Sequence, residues 1–207
     1  MQTAMVVPSQ PPAADQQADR AAAKQALRRL LRSARRDYVA GLRLDEQAEL
    51  QSRLVDHLLP LLHGRHCLAI YAPMGSEIDP QMLMWHAGEA GIASAFPAFL
   101  DASSPMIFRS GRCAEDCPVG GVQPPHQAKQ VEPDLVLVPL LAVDRSGNRL
   151  GQGGGHYDRA LPALRANGAR IIGVGWAVQL LDIALPAEPW DVRLDAFASP
   201  DGILEFK

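Results

Sequence analysis

Short apolar runs alternate with amphipathic stretches along most of the chain, a pattern that separates strands from helices. Leu135-Val136-Leu137-Val138 is continuously apolar, as a strand buried on both faces requires, and Pro139 closes it. Comparable runs predict strands at His66–Tyr71, Ile92–Phe96, Met106–Arg109, Arg170–Trp176 and Leu194–Ser199. Helical spacing lies between them. From Arg20, the residues Leu27, Leu30, Leu31, Ala34 and Tyr38 share one stripe and predict a first helix. Leu54, Val55, Leu58 and Leu62 form the apolar face of a second, with Asp45 as its N-cap and Pro60 ending its regular part. Asp79-Pro80 has the character of an N-cap and first helical position, and Gly88 and Gly91 close this third helix. Tyr157, Leu161 and Leu164 predict a fourth, which Pro162 limits but tolerates near its first turn and Asn167-Gly168 stops. A short helix is expected over Val178–Ile183, and Cys117–Pro125 reads as a loop able to move over a ligand. Strands alternating with helices predict an α/β fold: a three-layer α/β/α arrangement around a mainly parallel central sheet, Rossmann-like in layout.

Composition narrows the class. A chain of 207 residues with 47% hydrophobic content is expected to form one domain, here residues 20–207. Residues 1–19, rich in Pro, Gln and Ala, read as a disordered leader. The formal charge of −3 gives the molecule no polycationic character. Three cysteines, Cys67, Cys113 and Cys117, are an odd number without a CxxC pair, which fits a reducing compartment and neither a disulfide framework nor a zinc ribbon. No run of about 18 apolar residues occurs, so no membrane span is expected and a cytoplasmic location is.

The candidate chemistry is concentrated after the Leu135–Val138 run. Asp144-Arg145-Ser146-Gly147 is turn chemistry, and the segment from Asn148 to Arg159 then holds four glycines and two arginines. Such a loop before a helix brings backbone N–H groups and the helix dipole to an anion, and Asp158 is suited to the cation that accompanies a polyphosphate. The segment reads as a nucleotide-phosphate site, against the plainer reading of a tight turn. No Lys-Ser or Lys-Thr follows the glycines, and their spacing misses G-x-G-x-x-G, so neither familiar nucleotide motif is present. Seven cationic residues crowd between Arg20 and Arg36, of which Lys24, Arg28 and Arg32 share a helix face. A solvated face, a nucleic-acid contact, and a reach from Lys24 and Arg28 to polyphosphate oxygens all fit that spacing.

An ordered set of motifs then resembles one family. Lys24-x-x-Leu27-Arg28, Ser76-Glu77-Ile78, Val138-Pro139…Asp144…Gly147-x-Arg149-Leu150-Gly151-x-Gly153-x-Gly155-x-Tyr157-Asp158-Arg159, and Glu188-Pro189-x-Asp191-x-x-x-Asp195 together look like 5-formyltetrahydrofolate cyclo-ligase, also called methenyltetrahydrofolate synthetase. The resemblance covers about residues 20 to 200. It implies conversion of 5-formyltetrahydrofolate to 5,10-methenyltetrahydrofolate with ATP as co-substrate, Mg²⁺ as cofactor, and release of ADP and phosphate. It implies ATP contacts from Lys24, Gln25, Ala26, Leu27 and Arg28, and from Arg149, Leu150, Gly151, Gln152, Gly153, Gly154, Gly155, His156 and Tyr157. Ala72, Glu77 and the stretch Gln152–His156 are the implied folate contacts, and Asp158 and Asp191 the implied Mg²⁺ ligands. No covalent or acid–base residue is implied, no nucleic-acid or membrane partner is expected, and a monomer is. His156 stands where many members have a second tyrosine, and Leu140, Leu141 and Val143 replace residues that are a glycine and an aromatic in some members, which is expected to reshape the folate wall. Trp85, Phe99, Phe108 and Trp190 are aromatic candidates for that wall, each with a core role as the competing reading.

Overall fold

The structure, a computed structural model, describes residues 13–188 and 191–207. Helix α1 (Ala13–Ala40) and helix α2 (Leu44–Leu58) come first, then a 3-10 turn at Leu59–Leu62, strand β1 (Cys67–Ala69) and helix α3 (Leu83–Glu89). Next come β2 (Ala93–Ala98), β3 (Ile107–Ser110), the two-residue strands β4 (Glu115–Asp116) and β5 (Val122–Gln123), and β6 (Leu135–Pro139). The rest of the chain forms β7 (Ala142–Asp144), β8 (Arg149–Leu150), α4 (His156–Ala166), β9 (Arg170–Val174), a 3-10 turn at Ala177–Gln179, β10 (Leu180–Leu181), β11 (Ala196–Ser199) and β12 (Gly202–Glu205).

A seven-stranded sheet runs in the order β12-β11-β9-β6-β1-β2-β3. The inner pairs are parallel, and only the two edge strands, β12 and β3, are antiparallel to their neighbours. Strand residues alternate between two cores, as a period of two demands. Leu68, Leu135, Leu137, Ile172 and Val174 join Leu54, Leu58 and Leu83 of α2 and α3 on one face. Ala69, Val136, Val138 and Ile171 join Leu161 and Leu164 of α4 on the other. The α/β/α layering and the mainly parallel sheet are therefore as the sequence predicts. From β1 the chain moves to β2 on one side and later to β6 on the other, which makes the carboxyl ends of β1 and β6 a topological switch point, where open α/β sheets bind ligands.

Several local expectations are corrected. Helix α1 includes residues 13–19, the last part of the stretch read as a leader; their Ala and Gln content favours helix. The rest of that leader, residues 1–12, and Pro189 and Trp190 lie outside the described residues. The packed face of α1 is the predicted stripe in part: Leu27, Leu31 and Tyr38 pack inward with Val39, but Leu30 is 66% exposed and Ala34 is exposed, and Arg35 is buried. Asp45 lies inside α2, whose N-cap is Arg43, with the Arg43 N–H donating to Glu46 Oε2 at 2.8 Å. Asp79 Oδ1 accepts from Gln81 N at 2.8 Å and so builds a turn, and the third helix starts only at Leu83. Helix α4, as expected, tolerates Pro162 and runs to Ala166 with Asn167 as its C-cap. The short helix expected over Val178–Ile183 is confined to the 3-10 turn Ala177–Gln179, because Leu180 and Leu181 pair in parallel with Val143 and Asp144 of β7. Within Cys117–Pro125, β5 pairs with β4 as a small hairpin.

Candidate active site

A cavity of about 940 Å³ opens at the switch point. The loop after β1 supplies Ala72, Ser76 and Glu77, α1 supplies cations, and the segment from Arg149 to Asp158 closes the remaining side together with Asp191. Six lining side chains are cationic (Lys24, Arg28, Arg32, Arg35, Arg36, Arg149) and three are carboxylates (Glu77, Asp158, Asp191). A chain of net charge −3 thus concentrates positive charge in one concave place, which favours an anionic ligand.

Asp144 shapes the hairpin that delivers the glycine loop. It is 2% exposed, and its Oδ1 accepts from Ser146 N (2.9 Å) and Asn148 N (3.0 Å). Its Oδ2 accepts from Asn148 Nδ2 and from Leu185 N, both at 2.9 Å. Burial alone would raise the pKa of this carboxyl, but the four donors outweigh it and hold the pKa below the usual carboxylate value. β8 then carries Arg149 inward, where it pairs with Asp158 and lies 5.5 Å from the Tyr157 ring centroid. Arg149 Nε is buried without a hydrogen-bond partner. Burial pushes the Tyr157 hydroxyl far up, with Arg149 partly offsetting, so the phenol stays protonated.

The glycines of the loop are required by space as well as by conformation. Gly153 has φ 106°, and a Cβ on Gly154 would stand 2.7 Å from the His156 ring. That ring packs edge-on against Phe99 at 4.8 Å, and its Nδ1 accepts from Arg159 Nη2 at 3.0 Å. Burial, then the Arg159 charge, lowers the His156 pKa. A neutral imidazole accepting at Nδ1 carries its hydrogen on Nε2.

Helix α1 meets this loop directly. Arg28 Nε donates to the Gly151 carbonyl at 3.1 Å, and Arg32 donates to Gln152 Oε1 at 3.2 and 2.9 Å from Nε and Nη2. Lys24 Nζ lies 3.1 Å from Glu188 Oε1. Glu77 Oε2 accepts from Met74 N at 3.0 Å, and its Oε1 accepts from Gln152 Nε2 at 3.2 Å.

Most residues singled out from the sequence therefore converge: Lys24, Arg28, Ala72, Glu77, the whole stretch from Arg149 to Tyr157, Asp158 and Asp191 line one cavity. Three do not. Gln25 and Ala26 are exposed, and Leu27 packs near Leu150 and Leu185, because a helix directs residues i and i+4 to one side and the intervening ones elsewhere. Leu140, Leu141 and Val143, expected to reshape the folate wall, are buried in the fold and do not line the cavity. Among the aromatics, Phe99 lines the cavity, Phe108 is buried in the core, Trp85 borders a neighbouring groove, and Trp190 lies outside the described residues. Arg35 was not singled out and belongs to the site. It follows Lys24 by eleven residues and Arg28 by seven, spacings that keep all three on one helix face.

Comparison with known proteins agrees with this geometry. The profile of the 5-formyltetrahydrofolate cyclo-ligase family matches residues 20–200. The chain belongs to that family. Membership makes it an enzyme of the ligase class. It is 36% identical over 149 residues to the 5-formyltetrahydrofolate cyclo-ligase of Mycolicibacterium smegmatis, covering 67% of this chain and 75% of that protein. It is 26% identical over 174 residues to the Escherichia coli K12 protein of the same name, covering 78% and 94%. Among solved structures, the 5,10-methenyltetrahydrofolate synthetase of Mycoplasma pneumoniae superposes with a TM-score of 0.66 at 25% identity, covering 86% of this chain and 98% of that one. The Aquifex aeolicus 5,10-methenyltetrahydrofolate synthetase reaches a TM-score of 0.72 at 23% identity over 87% and 93%, a likeness of fold. No described helix is long and apolar enough to cross a membrane.

Proposed function

We propose that this cyclo-ligase family member closes 5-formyltetrahydrofolate to 5,10-methenyltetrahydrofolate, using ATP and Mg²⁺ and releasing ADP and phosphate. The observation that carries the reading is the single cavity in which a cation-lined glycine loop and the Glu77 carboxylate face the same space. Lys24, Arg28 and Arg149 neutralise the triphosphate, and the buried Arg149 Nε gains an acceptor in a phosphate oxygen. Glu77 accepts hydrogen bonds from the amino and ring N–H groups of the pterin.

The formyl oxygen attacks the γ-phosphorus as the bond to ADP breaks, leaving a phosphorylated iminium at N5. N10 then attacks the formyl carbon and gives up its proton, and the carbon–oxygen bond breaks to release phosphate. Alignment and charge neutralisation do the catalytic work, so no protein nucleophile is required.

Asp158 and Asp191 suit Mg²⁺, which favours hard oxygen donors and takes one or two carboxylates alongside phosphates and water. Each pairs with a cation of the site, Asp158 with Arg149 and Asp191 with Lys24 at 3.7 Å, and the ion would take the place of these partners. When bound, the ion would supply positive charge to the nucleotide's phosphate oxygens.

The test combines the full-length chain, 5-formyltetrahydrofolate, ATP and Mg²⁺. Growth of the long-wavelength methenyl absorbance in step with ADP is the expected result. Asp158→Ala is expected to lower turnover by about 100-fold and to shift the Mg²⁺ requirement upward. ATP consumption with no methenyl product, and turnover only with another acceptor, would point to a different small-molecule phosphotransferase.

A further inference from the structure

Arg35 is 4% exposed, and burying a guanidinium is costly because arginine cannot shed its proton. Two of its three nitrogens donate to three groups. Nε donates to Ser76 Oγ at 3.1 Å, and Nη1 is shared between Glu77 Oε1 at 3.4 Å and the Leu140 carbonyl at 3.2 Å. These partners come from both loops that diverge at the switch point, Ser76 and Glu77 after β1 and Leu140 after β6.

Two features separate this contact from a mere staple. The Glu77 side chain is only 6% exposed, and the Arg35 guanidinium is the cation that pairs with it there among the described residues. The other side-chain donor to the same oxygen, Gln152 Nε2, belongs to the glycine loop, and a ligand's N–H can replace it. Arg35 cannot be replaced in that way, since Ser76 and Leu140 lock its guanidinium from behind.

We propose that Arg35 is a positioning residue for the folate: it fixes the orientation of the Glu77 carboxylate, so that the pterin meets it without rearrangement. This rests on the reading of Glu77 as the pterin acceptor.

A double-mutant cycle on the full-length chain tests it, with Arg35→Met, Arg35→Lys, Glu77→Gln and the paired variants. KM for 5-formyltetrahydrofolate and for ATP is read for each, beside thermal unfolding. Glu77→Gln and Arg35→Met are each expected to raise the folate KM about tenfold, with the ATP KM within about twofold of the parent. Adding Arg35→Met to Glu77→Gln is expected to change the folate KM by no more than about twofold, because the arginine acts through that carboxylate. Arg35→Lys keeps the charge and loses the fork, and is expected to recover part of the affinity. If Arg35→Met does not fold, Arg35→Lys in the two backgrounds makes the same comparison. Effects that multiply, or an equal rise in the ATP KM, would overturn the positioning role. An unchanged folate KM in the Arg35 variants beside a raised one in Glu77→Gln sinks the proposal alone. An unchanged folate KM in Glu77→Gln removes the reading of Glu77 and the proposal with it.

Discussion

The ammonium of Lys24 lies 3.7 Å from Asp191 Oδ2, joining the helix at the start of the chain to a loop near its end across the mouth of the cavity. Asp191 Oδ2 also accepts from Glu188 N at 2.8 Å, so the carboxylate is oriented before any ligand arrives. On the reading above, one member of the pair meets phosphate and the other Mg²⁺, and the ion pair opens as both find new partners.

Lys24→Ala is expected to raise the ATP KM about tenfold or more while changing unfolding stability by less than about 1 kcal/mol, since partly exposed ion pairs contribute little. Initial rates and urea midpoints check the two halves. A stability loss without a change in ATP KM would make Lys24 a structural residue.

Asp144→Asn removes a charge that meets four donors and is expected to destabilise the fold by about 3 kcal/mol. The pH dependence has a definite sign. The folded pKa is depressed, so the carboxylate's contribution is complete above the unfolded value of about 3.9 and is lost as pH falls through the lower folded value. Urea midpoints between neutral and acidic pH are expected to fall more steeply in the parent than in the variant. Parallel curves would contradict this account.

Gly154→Ala places a methyl 2.7 Å from the His156 ring, nearer than carbon atoms tolerate. The ring must move off Phe99, and the loop with it. A fall in kcat/KM of about 10- to 100-fold is expected with the fold retained, because a small misplacement of positioning groups is costly. Near-UV circular dichroism and steady-state rates would show it, and full activity would mean that the loop relaxes freely.

His156 is expected to titrate below the ordinary histidine value of about 6.5, and Arg159→Ala to move it upward. Because the unfolded ring binds protons first, this site lowers stability as pH falls below that value. A two-dimensional NMR titration of the ring protons measures the midpoint. A value at or above 6.5, or no response to Arg159→Ala, contradicts the neutral ring accepting from Arg159.

The strands were legible because burial on two faces leaves continuous apolar runs, as in Leu135–Val138 and Arg170–Val174. The glycine loop was legible because its composition has few other uses. The strand β10, by contrast, carries only two residues, and pairing with Val143 and Asp144, distant in sequence, decides its conformation. No local pattern encodes such a partner.

By itself the sequence determined the layered α/β architecture, the loop from Arg149 to Tyr157, and the pairing of Lys24 with Arg28 on one helix face. Local spacing and covalent flexibility suffice for those. Only the tertiary structure decided that the packed face of α1 includes charged residues beside Leu27, Leu31 and Tyr38, and that Arg35 belongs to the site while Leu30 faces solvent. A helix normally buries its apolar stripe. Here the folded chain gathers carboxylates and carbonyls from Glu77, Leu140, Gly151 and Glu188 opposite the cations, and their hydrogen bonds and charges offset desolvation where hydrophobicity would otherwise choose the face.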